Sequence, residues 1–157
     1  PTIVREGPYG VGMLQWFVQT RQTTNYALLF ENHIPEFKRI AAFDWLVNNA
    51  DRKVGHCLED MDGRLWLIDH GLTFHEAPKL RTVIWDFSGQ PVPEELLADL
   101  ASLYPHLADT GALTEALSQL LSRGEIQALK ERLTGILNNP VFPASFGSHR
   151  RTPWPPY

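Results

Sequence analysis

Cysteine is the scarcest resource in this chain. Cys57 is the single cysteine among 157 residues, which excludes an intrachain disulfide framework and fits a reducing, cytoplasmic setting. It stands in a β-prone run and reads as a buried structural thiol rather than a nucleophile. No apolar run reaches the roughly 18 residues that a membrane-spanning helix requires. No basic-apolar leader precedes the first periodic segment. Positive charge is sparse as well: 14 Lys and Arg against 18 Asp and Glu give a net charge of −4, which offers no footprint for non-specific nucleic-acid or membrane binding. No repeat is visible, and the chain opens at Pro1 without an initiator methionine, as a processed product or a piece of something longer would.

What is present is ordinary globular composition, 43% apolar and 20% charged, in a length that suits one domain with its own core. Thr2–Arg5 and Met13–Val18 are short β-prone runs around a glycine-rich turn, Gly7 to Gly12. The Gly10-Val11-Gly12 pair lacks a third glycine, a Gly-Lys-Ser/Thr and a following helix, so it reads as a plain turn, not a phosphate loop. Thr20–His33 is polar and irregular apart from Tyr26–Phe30. Pro35 then suits the start of a helix, and Ile40, Phe43, Leu46, Val47 and Ala50 continue it at helical spacing. Asp44 and Asn48 share one face of that helix, either bracing the loop beyond it or facing solvent. Residues 86–93 are turn-rich. Helices are expected from Pro93 to about Tyr104, over Thr114–Leu121 and over Arg123–Leu137. The proline-rich tail, 141–157, has no helical period, and its Trp154 and Tyr157 are expensive to leave in water. The expected class is α+β, mainly helical.

The chemistry concentrates between Phe43 and Phe74. A polar loop with Asn49, Asp51, Arg52, Lys53 and His56 leads into two apolar runs, Cys57-Leu58 and Leu65–Ile68, which end at Asp69-His70-Gly71. A hairpin between those runs brings the loop and the second polar cluster side by side. His56 lies five residues after Asp51 and Asp69 eighteen after it. A kinase catalytic loop has this layout: an aspartate that meets the attacking hydroxyl, a metal-binding asparagine five residues on, then a metal-binding aspartate beyond a hairpin. Gly71 would permit close backbone approach or a positive φ.

Asn49-Ala50-Asp51-Arg52-Lys53-Val54-Gly55-His56 together with Leu67-Ile68-Asp69-His70-Gly71 resembles the core of the phosphatidylinositol 3-/4-kinase-like superfamily, which includes the HipA-type kinases. The stretch from Asn48 to Phe74, followed by Pro78–Trp85, is similar to the uncharacterised SCO1664 family of actinobacterial type. The resemblance implies a kinase-like large, C-terminal lobe over 1–140: connector and hinge strands in 1–19, a helix in 35–50, catalytic loop and hairpin in 51–74 and a helical subdomain in 93–138, with 141–157 as tail. It implies Asp51 as catalytic base, Arg52 as loop support or phosphate neutraliser, and Lys53 as the third catalytic-loop residue. Asp69 and His56 become the metal ligands, and Trp16, Phe17 and Val18 the hinge against adenine. Lys79 and Arg81 would lie on an activation-type segment facing an anionic substrate.

The implied cofactor is ATP with Mg²⁺. Mn²⁺ is an option because His56 replaces the usual asparagine, and imidazole is a softer ligand than an amide oxygen. His70, in place of a bulky residue, either packs or adds a polar contact. Too few residues precede the hinge for a sheet with a phosphate-clamping loop and lysine. The expectation is therefore a large lobe alone, of low activity in isolation, its upper wall supplied by a missing N-terminal lobe or a partner, with an unidentified phosphate acceptor. Two alternatives stand beside it: a metal-dependent phosphohydrolase using Asp51, His56, Asp69, His70 and His75, and a non-catalytic pseudokinase module.

Overall fold

The computed structural model describes residues 2–21, 25–144 and 151–157. Pro1, part of the irregular stretch before Tyr26 and part of the 141–157 tail lie outside them. The class is α+β and mainly helical, with two separate two-stranded antiparallel sheets.

Strand β1 (Thr2–Gly7) pairs with β2 (Gly10–Gln15), closing at Gly7 opposite Gly10. The turn is therefore only Pro8-Tyr9, and Gly10 through Gly12 belong to a strand rather than to the glycine-rich turn expected there. Gly10 takes φ +104°, which the tight turn demands and a side chain would resist. Strand β2 stops at Gln15, so Trp16, Phe17 and Val18 are not strand residues as expected. Every residue of both strands is exposed.

Helix α1 (Tyr26–Asn32) is built on the Tyr26–Phe30 run that stood apart from the irregular stretch around it. Asn25 caps it by accepting the Ala27 N–H at 2.9 Å, and seven residues are too few to display a helical period. Tyr26 and Phe30 meet Phe37 at ring-centroid distances of 5.6 and 5.1 Å. Phe37 belongs to α2 (Ile34–Val47), which carries Pro35 in its first turn and ends at Asn48 in the left-handed conformation. The helix stops three residues short of the expected boundary at 50. Asn48 and Asn49 instead begin the loop.

Strands β3 (Cys57–Glu59) and β4 (Leu65–Leu67) form the second hairpin. Cys57, Leu65 and Leu67 face the first core, which is built around Leu29, Phe37, Ile40, Ile84, Phe87 and Phe142. A second core joins Leu46 to α3 (Glu94–Leu103) and α5 (Arg123–Asn138) through Leu100, Leu129, Leu133 and Ile136. Between them lies α4 (Ala112–Leu117), starting earlier and ending sooner than the expected Thr114–Leu121. Pro93 caps α3 from outside rather than opening it. Ser122 and Glu125 form a capping box at the start of α5. None of the described helices is long and apolar enough to cross a membrane.

The tail docks through Phe142, which is buried in the first core, and not through Trp154 or Tyr157. Trp154 and Tyr157 are 88% and 81% exposed. Further along, the attachment is polar: Thr82 N–H donates to Arg151 O at 3.0 Å and Val54 N–H to Pro156 O at 2.9 Å.

Burial pushes the Cys57 thiol up to about 11, with Arg52 opposing and Asp44 adding to the shift. The folded protein therefore holds this proton more tightly than the unfolded chain. The associated stability is complete below the unfolded pKa of about 9 and is lost as pH rises through about 11. Native protein should resist alkylation by iodoacetamide at pH 8 and become reactive on unfolding. Rapid labelling without unfolding would show that the thiol is accessible.

Candidate functional site

The loop from Asn48 to His56 is held by a buried polar knot. Asp44 projects from the last turn of α2 and is fully buried, as are Asn49 and Arg52. Arg52 donates from Nε to Asp44 Oδ2 and from Nη2 to Asp44 Oδ1, both at 2.9 Å. Asn49 Nδ2 donates to Asp44 Oδ1 at 2.9 Å, and Asn49 Oδ1 accepts the Asp51 N–H at 3.0 Å. Nη1 of Arg52 reaches across to Ile68 O at 3.2 Å. One arginine thus ties α2, the loop and the end of β4 together. Burial works against its charge, but the hydrogen bonds and charge of Asp44 raise its pKa above the ordinary value. Of the two roles implied for Arg52, burial leaves loop support: the guanidinium has no surface from which to touch phosphate.

Asn48 braces the other side. Its Nδ2 donates to His75 O and Ala77 O at 2.8 Å, and its Oδ1 accepts the Lys79 N–H at 2.8 Å. Arg52 also bridges Thr82 in parallel register, with Arg52 N–H donating to Arg81 O and Val83 N–H to Arg52 O, each at 3.0 Å. The expectation for Asp44 and Asn48 thus resolves as bracing, not solvent exposure.

Around this frame the half-buried Asp51 and His56 and the exposed Asp69 converge. One ligand atom from each lies within 4.8 Å of the other two. Lys53 Nζ sits 3.3 Å from Asp51 Oδ2, and His56 Nε2 is 3.5 Å from Asp69 Oδ2. Two carboxylates and an imidazole at this spacing fit a divalent cation. The Lys53 N–H points at His56 Nδ1 at 3.4 Å. A backbone N–H can only donate, so Nδ1 is the acceptor in this contact and Nε2 is the atom turned toward Asp69. Metal ligation through Nε2 would need the other tautomer and the loss of that contact.

Asp69 itself takes φ +56°, a conformation aspartate tolerates better than most residues. Gly71 does not have a positive φ, and a Cβ there would meet only Asp69 Oδ1 at 3.7 Å. The special backbone expected at Gly71 thus lies two residues earlier. His70 stacks edge-on to Phe43, with ring centroids 5.5 Å apart, and burial lowers its pKa. His75 Nδ1 accepts the Ala77 N–H at 3.0 Å. Neither belongs to the one candidate metal-holding group among the described residues.

Trp16 and Phe17 are exposed and Val18 is half-buried. Just beyond them the chain is clipped to the turn of the β3–β4 hairpin: Thr20 bridges Asp60, and Arg21 N–H donates to Glu59 O at 3.2 Å. Glu59 is three strand residues from His56, about 10 Å at the usual rise per residue. On β3 and β4 the register places Leu58 opposite Trp66, on the face away from Cys57 and Leu67. Trp66 is fixed by its Nε1–H donating to Asp60 Oδ2 at 2.7 Å. The two-residue alternation around Cys57 was the available signal for this pair.

The "Phosphatidylinositol 3- and 4-kinase" family model matches residues 3–126. The chain is also similar to Protein Rv2133c of Mycobacterium tuberculosis, with 36% identity over 191 aligned residues covering 99% of this chain and 68% of that protein. No solved structure gives a significant match. A family match over most of the chain, spanning both the loop and the hairpin, means that the chain belongs to the phosphatidylinositol 3- and 4-kinase family.

Proposed function

We propose that this chain carries the large-lobe half of an ATP-dependent phosphotransferase site, with Asp51, His56 and Asp69 at its phosphate end. The convergence of these three residues beside the β3–β4 hairpin is the observation that supports the reading. Bound ATP with Mg²⁺ would supply the transferable phosphoryl group and the counter-charge that transfer requires. Asp51 and Asp69 are the carboxylates that would hold the metal. Asp51 also stands ready to accept the proton of an acceptor hydroxyl, while Lys53 at 3.3 Å keeps that carboxylate oriented. His56, with its hydrogen on Nε2, donates toward Asp69 or a phosphate oxygen rather than ligating.

The hairpin forms the floor. Leu58 and Trp66 offer an apolar face for the base, and Trp16, Phe17 and Val18 approach from the hairpin's turn, away from the metal-holding residues. None of the described strands contains a lysine. The phosphate-clamping lysine of such enzymes would therefore come from an upper lobe or a partner, and the acceptor is an unidentified hydroxyl compound. The phosphohydrolase alternative is less well supported, because His70 is turned onto Phe43 and His75 is occupied by Ala77.

The test is ATP turnover by the full-length protein in Mg²⁺ and in Mn²⁺. Wild type should turn over ATP only with a divalent metal, and undiminished activity in both Asp51→Ala and Asp69→Ala would remove the assignment. His56→Ala should lower kcat/KM about tenfold, the value of one charge-assisted hydrogen bond, without changing the ratio of Mg²⁺ to Mn²⁺ activity. A switch in metal preference would instead make His56 a ligand.

A further inference from the structure

A second concave site lies elsewhere in the molecule, and neither Asp51, His56 nor Asp69 lines it. It is a cleft of about 430 Å³ between the end of α2, the 78–85 segment, α5 and the tail. Its walls carry Lys79, Arg81, Arg132 and Arg151 together with Trp45 and Trp85, and no Asp or Glu occurs among its described lining residues. On a chain of net charge −4, a wall with four cations and no carboxylate is a local reversal of sign that average composition does not produce.

The fold anchors the backbone of Lys79 and Arg81 and the side chain of Arg132 at this cleft. Lys79 N–H is bound by Asn48 Oδ1 at 2.8 Å and Arg81 N–H by Asn49 O at 2.9 Å. Lys79 and Arg81 both line the cleft. Neither the Lys79 ammonium nor the Arg81 guanidinium has a side-chain partner among the described residues. Arg132 is fixed from α5 by donating to Leu46 O at 2.8 Å and His75 O at 3.3 Å. Its buried Nη2 has no acceptor among the described residues. Arg151 lies over the Trp85 ring, 5.9 Å from its centroid, which leaves charge and aromatic surface side by side.

We propose that this cleft is an anion site for a phosphate monoester whose organic part is aromatic. The phosphate would lie against Lys79, Arg81 and Arg132, and the ring against Trp45 and Trp85. Four cations around one cleft favour the dianion, and flat indole surfaces favour an aryl body over a bare ion. The inference is independent of phosphotransfer at Asp51 and Asp69, because it needs neither metal nor ATP.

The experiment is a titration of the protein with phenyl phosphate at low salt in EDTA, followed by calorimetry and by tryptophan fluorescence. Phenol and inorganic phosphate are titrated in parallel. Saturable binding is expected. Lys79→Ala with Arg81→Ala should weaken it about a hundredfold, roughly tenfold for each charge-assisted contact removed. Both side chains are exposed and the backbone bonds remain, so the fold should persist; Arg81→Glu alone provides a second variant with the same expected direction. Asp69→Ala should bind as wild type. Absence of saturable binding, equal binding by the double variant, or loss of binding in Asp69→Ala would overturn the site. Inorganic phosphate binding as tightly as phenyl phosphate would overturn the aromatic contact.

Discussion

Replacing Asp44 by alanine is expected to cost about 3–5 kcal/mol of folding stability, the usual result of removing one partner from a buried ion pair. For a chain of this size that corresponds to a fall in Tm on the order of 10 °C. The magnitude comes from the groups left behind. Arg52 is fully buried, and its Nε and Nη2 donors both end on Asp44 at 2.9 Å. Without that carboxylate a guanidinium charge stays in the interior, and Asn49 Nδ2 loses its acceptor as well. The pair itself need not be strongly stabilising against apolar residues, so Asp44→Leu combined with Arg52→Met should recover a large part of the loss. It would not recover the loop's attachment to Ile68 O, and the site should remain damaged even when the melting point is restored. Thermal unfolding followed by circular dichroism measures all three proteins. A drop of less than about 1 kcal/mol in Asp44→Ala, an ordinary single-site change, would contradict the role given to this knot.

Asp51→Asn should behave in the opposite way, leaving the fold intact and lowering phosphoryl transfer by about 10²–10⁴-fold, the range for losing a positioned acid–base group. Its carboxylate is only half-buried, and its one ion pair among the described residues is with Lys53 at 3.3 Å. A partly exposed pair of that kind contributes about 0–1 kcal/mol, so the melting point should hardly move. The Asp51 backbone N–H remains bound to Asn49 Oδ1, which keeps the residue where the wild-type carboxylate stands. Stability and rate should therefore separate cleanly along the loop: Asp44 and Arg52 govern the first, Asp51 the second. Equal turnover by wild type and Asp51→Asn in steady-state assays would remove the base from the account.

The sequence made the loop and hairpin legible because their signals are local. Asp51, His56 and Asp69 lie at fixed offsets, and the two apolar runs around Gly63 allow few arrangements other than a hairpin. The long helices were visible in the spacing of Ile40, Phe43 and Leu46 and of Ile126, Leu129 and Leu133. What escaped were relations between distant or short pieces. Helix α1 is too brief to show a period. Asp44 was recognisable as a polar residue on an apolar helix, but its partner eight residues on, beyond the helix end, was not. Trp154 and Tyr157 looked like the anchors of the tail because indole and phenol bury much area, yet Phe142 and the backbone carbonyls of Arg151 and Pro156 make the attachment. The cationic cleft needed α5, the tail and the 78–85 segment in one place, and no sequence spacing links those three. His56 was legible as a departure from asparagine, while its contact with the Lys53 N–H was not.

The most direct measurement is calorimetric titration of the full-length protein with ATP, in Mg²⁺ and in EDTA, comparing wild type with Asp69→Ala. The account predicts binding to wild type that depends on Mg²⁺ and is weakened at least about tenfold by the substitution, a difference of about 1.4 kcal/mol. ATP affinity that is the same with and without Mg²⁺, or the same in Asp69→Ala as in wild type, would contradict a metal–nucleotide site at the end of this hairpin.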